Sequence, residues 1–138
     1  MSAREAFAAA AAGLSGTPFR LHGRDPATGL DCVGLVAVAL ERAVGRAVVP
    51  EGYALRALSV APLLGFAGRN GFATLDPIAP GKPGDLHLLR LSAIQAHLAI
   101  VLDHEGFVHA HAGLGKVVIE HGALPGAMIA RWRLTAEG

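Results

Sequence analysis

The sequence predicts an α+β fold in which N-terminal helices pack on an antiparallel sheet of about five strands. The first half of the chain carries apolar residues at helical spacing, whereas from about residue 72 short β-type runs alternate with turn residues. Helices that precede the strands favour an α+β arrangement over alternating α/β units. With 138 residues, 52% of them hydrophobic, the chain can bury one core, so we expect a single domain over 1–138.

Two helices are predicted with identifiable ends. Residues 2–12 are rich in alanine, Ser2 is a suitable N-cap, and a glycine follows the run. A second helix is expected over 31–44, with Asp31 near its N-cap and a wide apolar face. Residues 51–70 also have helical character, but Pro62, Gly65 and Gly68 favour one or two short helices.

The second half of the chain predicts strands at 85–91, 96–103, 107–112, 116–120 and 127–134. Turn residues at 103–106 and 113–115 suit hairpin connections, so an antiparallel meander is expected. Gly106 would take the left-handed position of a three-residue turn with a bulge.

Composition excludes several classes of function. The formal net charge is +1 and the arginines are scattered, so we expect no nucleic-acid partner. No uninterrupted apolar run approaches the length of a membrane span, and no membrane partner is expected. Glu5 interrupts the basic start of the chain, which argues against a secretory signal and for synthesis in the cytoplasm without export.

The single cysteine, Cys32, follows a glycine-containing turn and begins the second predicted helix. A helix N-terminus stabilises a thiolate through its dipole and unpaired amides, and these amides can also bind an oxyanion. A lone cysteine before an apolar run is also a common core residue, so the nucleophile interpretation depends on partners elsewhere in the chain.

Histidines are the candidate partners, because a cysteine nucleophile needs a base and the base needs an orienting group. His97 begins a strand that is otherwise apolar, while His109 and His111 share one face of the next strand. His97 and His109 share a face only if an odd number of residues connects the strands. His111 therefore stays an alternative third residue, and the other histidines are expected to be solvated or structural.

Five segments, in order, resemble the motifs of the NlpC/P60 cysteine peptidases over nearly the whole chain: Gly16-Thr17-Pro18-Phe19-Arg20, Gly29-Leu30-Asp31-Cys32-Val33-Gly34-Leu35, Pro83-Gly84-Asp85-Leu86, His97-Leu98-Ala99-Ile100-Val101-Leu102 and Phe107-Val108-His109-Ala110. The resemblance implies a papain-like fold, with the cysteine at the start of a helix packed on the sheet. It also implies that Cys32 is the nucleophile, His97 the base and His109 the orienting residue.

The resemblance further implies hydrolysis of amide bonds in peptidoglycan stem peptides, often between D-γ-glutamate and a diamino acid, without a cofactor or metal. Asp31 would bind a substrate ammonium, and Phe19 would line the substrate site. Phe19 stands where a tyrosine is common, which implies that a phenolic donor near the site is missing, and Val33 replaces a serine. The short chain and its last strand are similar to phage and gene-transfer-agent members, whose partners are tail proteins of a particle.

Two alternatives to a cysteine peptidase stay open at this point. His97, His109, His111 and His121 offer enough imidazoles for a metal-dependent hydrolase, since imidazole is a common ligand of zinc. The departures at Phe19 and Val33 instead favour a catalytically weak or inactive structural protein of the same fold.

Overall fold

The helices lie where the sequence predicts them, within residues 1–135, the part of the chain described by this computed structural model. α1 spans Ala3–Ala12 and begins with a capping box, in which the Ser2 side chain accepts from the Glu5 amide and the Glu5 carboxylate accepts from the Ser2 amide. α2 spans Cys32–Val44 and is capped by Asp31. The first part of α2 has no polar face, because residues 32–40 are all buried.

α3 spans Ala61–Arg69 and is one short helix, as predicted for this segment. Pro62 lies in its first turn, where a missing amide hydrogen costs no intrahelical hydrogen bond. The glycines at positions 65 and 68 are tolerated inside the helix because Leu63 and Phe66 bury its apolar face.

All five predicted strands are present in the described residues, together with three that are only two or three residues long. The strands are β1 Arg24–Asp25, β2 Gly29–Leu30, β3 Phe72–Thr74, β4 Leu86–Ser92, β5 Gln95–Val101, β6 Gly106–His111, β7 Lys116–His121 and β8 Ala127–Leu134. β1 and β2 form a small ribbon, and the other six form one antiparallel sheet in the order β3-β8-β4-β5-β6-β7. The α+β prediction is confirmed.

The predicted meander is correct for β4 to β7 and wrong for β8. β8 does not continue the sheet beyond β7. It pairs with β4, on the side of β4 away from β5, and its other side pairs with β3, which forms the sheet edge. The edge of β7 is partly covered by the loop before β1, since the Val117 amide donates to Thr17 O and the Gly16 amide to Val117 O. Loop backbone therefore protects part of an edge that would otherwise leave unpaired donors.

The turn between β5 and β6 differs from the prediction in which residues adopt left-handed backbone. His104 and Glu105 have φ of 55° and 60°, whereas Gly106 does not lie in that region. The pairing extends one residue beyond β5, because the Leu102 amide donates to Gly106 O, in register with the pair of Ile100 and Val108. Counted from Leu102 and Gly106, the connection contains three residues, 103–105. This odd-length connection places His97 and His109 on one face, as the sequence argument requires.

The core lies between the helices and one face of the sheet. α1 and α2 pack together, and the inner face contributes alternate residues of the strands, among them Leu86, Leu88, Leu98, Ile100 and Val108. A second, smaller apolar cluster of Leu89, Ala99 and Phe107 lies on the opposite face. Within residues 1–135 no helix is both long and apolar enough to span a membrane.

Candidate active site

Cys32 is the first residue of α2, and its side chain is 1% exposed. The first intrahelical hydrogen bond runs from the Leu35 amide to Asp31 O, so the amides of Cys32 and Val33 precede the helical ladder. Burial raises the pKa of the Cys32 thiol to about 12, and the neighbouring Asp31 carboxylate acts in the same direction. Cys32 is therefore a neutral thiol at rest, placed beside amide donors that suit an oxyanion.

Asp31 caps α2 and fixes the loop that precedes it. One carboxylate oxygen accepts from the Gly34 amide at 2.8 Å, and the other accepts from the His22 amide at 2.8 Å and from the Tyr53 hydroxyl. Asp31 is fully buried and does not line the cavity described below. The structure thus gives the carboxylate a capping role, and its predicted contact with a substrate ammonium stays a prediction without geometric support.

A phenolic hydroxyl lies next to the start of α2, although it does not line the cavity. Tyr53 occupies a buried position beside the start of α2 and donates its hydroxyl to Asp31. Burial and the Asp31 carboxylate raise the pKa of the Tyr53 hydroxyl, which keeps it protonated as a donor. Tyr53 comes from the irregular segment after α2, where no sequence pattern indicated a contact with Asp31.

His97 and His109 are joined by a direct hydrogen bond across the gap between β5 and β6. Ladder pairing between these strands is confined to Ile100 with Val108 and Val101 with Phe107. Toward the start of β5, Nε2 of His97 lies 2.6 Å from Nδ1 of His109. Both side chains are buried, and Nδ1 of His97 makes no hydrogen bond to another residue within 1–135.

The hydrogen-bonded chain continues beyond His109. Nε2 of His109 lies 2.8 Å from Oε1 of Glu120, a residue of β7 whose side chain is 44% exposed. Burial lowers the pKa of His97 to about 4, with a further lowering by His109 and His111 and an opposing effect of Glu120. His97 is therefore a neutral imidazole at rest, able to accept a proton.

One cavity of about 250 Å³ brings the predicted residues together. Cys32, His97, His109 and Phe19 all line it, so three predicted catalytic residues and one predicted substrate contact share one space. The remaining wall is mostly apolar and small, formed by Leu55, Leu91, Gln95, Ala96, Phe107, Ala110, Ala112, Gly113, Ala123 and Pro125. Among the described residues that line the cavity, no lysine or arginine is found, and Glu120 is the one carboxylate.

The alternative third residue, His111, also lines the cavity but does not contact His97 by a hydrogen bond. Its Nδ1 accepts from the Leu114 amide at 3.0 Å, which fixes the ring within its own turn. The geometry therefore places His109, and not His111, next to His97. Within residues 1–135 no group of three His, Cys, Asp or Glu residues is arranged to hold a metal ion.

The other histidines lie outside the cavity. His87 is buried in β4, where its Nε2 accepts from Arg131 Nε and its Nδ1 has no partner. His104 is exposed in the β5–β6 turn and His121 is exposed at the end of β7. His22 donates its amide to Asp31, so its backbone serves the cap.

Residues 16–129 match the model of the NlpC/P60 family. The chain belongs to the NlpC/P60 family. Members of this family are generally cysteine peptidases that hydrolyse peptidoglycan, and the papain-like α+β fold is the one described above. No curated protein matches the chain in sequence.

Solved structures of NlpC/P60 proteins share the fold at low sequence identity. The NlpC/P60 domain of the peptidoglycan hydrolase SagA superposes with a TM-score of 0.61 at 23% identity, covering 86% of this chain and 88% of the domain. The peptidoglycan hydrolase RipB from Mycobacterium tuberculosis gives 0.61 at 23% identity, covering 95% of this chain and 63% of RipB. RipD from the same organism, described as a non-catalytic NlpC/P60 protein with a peptidoglycan-binding function, gives 0.64 at 15% identity over 99% of both chains.

Two residues of the site were not found by sequence reasoning. Glu120 reads as an ordinary charged residue on an exposed strand, and only the fold brings it to His109. Tyr53 lies 22 positions after Asp31 in a segment without regular structure. For Glu120 a weak indication existed, since it ends the predicted strand 116–120. An acidic residue in that position can protect a sheet edge or accept a hydrogen bond from an imidazole of the neighbouring strand.

Proposed function

We propose that this protein is a cysteine peptidase that hydrolyses amide bonds in peptidoglycan stem peptides. The observation that carries the proposal is the shared cavity, which is lined by Cys32 at a helix N-terminus and by His97, whose Nε2 is hydrogen-bonded to His109. A nucleophile, a base and an orienter of the base are the parts that acyl transfer through a thiol requires.

The geometry supports a general-base mechanism. Because the resting pair is a thiol and a neutral imidazole, Nδ1 of His97 accepts the thiol proton as the Cys32 sulfur attacks the substrate carbonyl. The amide of Cys32 donates to the oxyanion of the tetrahedral intermediate. The protonated His97 then gives its proton to the leaving amine, a thioester remains on Cys32, and a water molecule activated by His97 hydrolyses it.

Family membership and the cavity support the proposed substrate class. A wall of small apolar residues fits a short peptide, and the family's usual bond between D-γ-glutamate and a diamino acid is the one we propose for this chain. Phe19 would contact the peptide from the wall. We also propose that the protein acts after cytoplasmic synthesis as a component of a phage tail or gene-transfer agent, which would deliver it to the wall.

Digestion of purified peptidoglycan tests the proposal, with soluble fragments identified by mass spectrometry. Wild-type protein should release stem-peptide fragments with a new amino terminus on the diamino acid, and folded Cys32→Ala protein should release none. Absence of fragments from wild-type protein, on sacculi with either diaminopimelate or lysine stems, would contradict the proposed activity.

A non-catalytic protein of the same fold is the second candidate. It is favoured by the burial of Cys32, by the raised pKa of its thiol and by the likeness to RipD. Under this alternative both wild-type and Cys32→Ala proteins would bind to sacculi in a pelleting assay and neither would release fragments.

A further inference from the structure

We propose that Glu120 is a positioning residue that determines, through His109, which nitrogen of His97 carries the proton. The inference rests on the proposed function of Cys32 and His97. It is carried by two consecutive hydrogen bonds, 2.8 Å from Glu120 Oε1 to His109 Nε2 and 2.6 Å from His109 Nδ1 to His97 Nε2.

The proton positions follow from the donor and acceptor capacity of each group. An ionised carboxylate can only accept, so Nε2 of His109 must carry a hydrogen. A neutral imidazole has one N–H, so Nδ1 of His109 is an acceptor, and the hydrogen between the rings belongs to Nε2 of His97. Nδ1 of His97 is consequently unprotonated and is the nitrogen available as a base. The carboxylate at the far end of the chain thus selects the tautomer that the reaction needs.

The same chain accounts for the charge that develops during attack. When His97 accepts the thiol proton it becomes an imidazolium in a buried place, where an unpaired charge is costly. The groups that face it are Cys32 from α2, His109 and His111 from β6, and Glu120 from β7. Of these, only Glu120 is an anion while the thiol is protonated, so it is the one fixed charge that stabilises the imidazolium.

A purely structural role for Glu120 is disfavoured by its surroundings. Within residues 1–135 its side chain makes no hydrogen bond other than the one to His109. It is almost half exposed on the edge strand β7, where removing a side chain usually changes stability little. Substitution of Glu120 should therefore change the protonation of the imidazoles and the rate of hydrolysis, and should leave the stability of the fold nearly unchanged.

Nitrogen-15 NMR of the histidine side chains tests the inference without any substrate. We compare wild type with Glu120→Gln, which keeps an acceptor and removes the charge, and with Glu120→Ala, which removes both. Glu105→Gln is the matched control, because it removes a carboxylate from the neighbouring β5–β6 turn that makes no contact with the imidazoles.

In wild type we expect His97 and His109 to be protonated on Nε2. Glu120→Gln should keep these tautomers and lower the pH at which His97 titrates, whereas Glu120→Ala should mix the tautomers of His97. In a kinetic assay on released stem fragments, Glu120→Ala should lower kcat/KM roughly tenfold, mainly through kcat. Glu105→Gln should leave all these values unchanged.

The inference is overturned if wild-type His97 carries its hydrogen on Nδ1, or if Glu120→Ala leaves both tautomers and the His97 titration as in wild type. These outcomes are separate from failure of the proposed function. A protein that releases no fragment from sacculi can still show the expected tautomers, and an active peptidase can show the wrong ones.

Discussion

Two carboxylates flank the candidate site, and they differ in what they hold in place. Asp31 is fully buried, with both oxygens occupied by the backbone and by Tyr53 at the start of α2. Glu120 is partly exposed and makes one hydrogen bond, to the imidazole of His109. The first fixes a backbone, so losing it should affect folding. The second fixes a side chain that can exchange protons, so losing it should affect chemistry.

The same division separates the two elements that meet at the cavity. The helix end presents Cys32 on backbone that the Asp31 side chain caps and that is tightly packed. The gap between β5 and β6 presents His97 and His109 where ladder pairing has ended, and their direct hydrogen bond takes its place. A thiol peptidase site needs both: a nucleophile that is rigidly placed, and a hydrogen bond that orients its base.

The largest expected effect is on the base. His97→Ala should lower kcat/KM by at least a factor of about 10³, because the other imidazoles of the cavity, His109 and His111, are held by Glu120 and by the Leu114 amide. The rate of fragment release from peptidoglycan, measured alongside urea unfolding, checks this. If His97→Ala protein were active, another residue would be the base, and the assignment of proton transfer to the gap between β5 and β6 would be wrong.

The next effect is on folding, and it contrasts the two carboxylates directly. Asp31→Ala should lower the free energy of unfolding by about 3 kcal/mol, since it removes a helix cap and leaves two amides and a hydroxyl without an acceptor. Glu120→Ala should cost no more than about 1 kcal/mol. Urea unfolding of both variants provides the measurement, and equal losses would remove the distinction between the two groups.

Acid should destabilise the protein through its buried imidazoles. Burial lowers the pKa of His87 to about 4, while in the unfolded chain it is about 6.5. Between these values the unfolded state binds more protons, so stability falls as pH drops from about 6.5 toward 4 and changes no further from this group below that. The full shift corresponds to about 3 kcal/mol.

His87→Leu isolates that contribution at a position outside the cavity. The variant should lose less stability than wild type between pH 6.5 and pH 4.5 in urea unfolding, and His121→Gln, which changes an exposed imidazole, should behave as wild type. If His87→Leu lost as much stability in acid as wild type, groups other than His87 would cause the acid destabilisation.

A smaller effect is expected from the packing of the loop against α2. A Cβ at Gly34 would lie 2.0 Å from the carbonyl oxygen of Gly23, so Gly34→Ala should cost about 2 kcal/mol by forcing the loop away. Gly68 in α3 has nothing within 4 Å of the same position, so Gly68→Ala should be neutral or stabilising by up to about 1 kcal/mol. Thermal unfolding of the pair decides whether the helix end is as tightly packed as its distances indicate.

Much of the fold could be predicted from the sequence because its signals are local. The N-caps Ser2 and Asp31, the glycines that end α1 and α2, and the short β-type runs between turn residues are recognisable within each segment. The return of β8 to β4 could not be predicted, because strand order depends on pairings between segments distant in sequence. Short strands such as β3 carry too few residues to show a period.

The candidate site divides in the same way. Cys32, His97 and His109 could be found because a helix start, an anomalous polar residue in an apolar strand and a motif order are sequence properties. The choice of His109 over His111 needed the register and the splaying of two strands, which no local pattern encodes. Left-handed backbone at His104 and Glu105 in place of Gly106 also escaped prediction, since non-glycine residues rarely adopt it.

The most direct test of the central claim is the rate at which wild type and Cys32→Ala release stem-peptide fragments from the same purified sacculi. Both proteins should unfold at similar urea concentrations. We expect sustained release by wild type and none above background by Cys32→Ala. Equal release by the two proteins would contradict the assignment of Cys32 as the nucleophile and with it the mechanism built on His97 and His109.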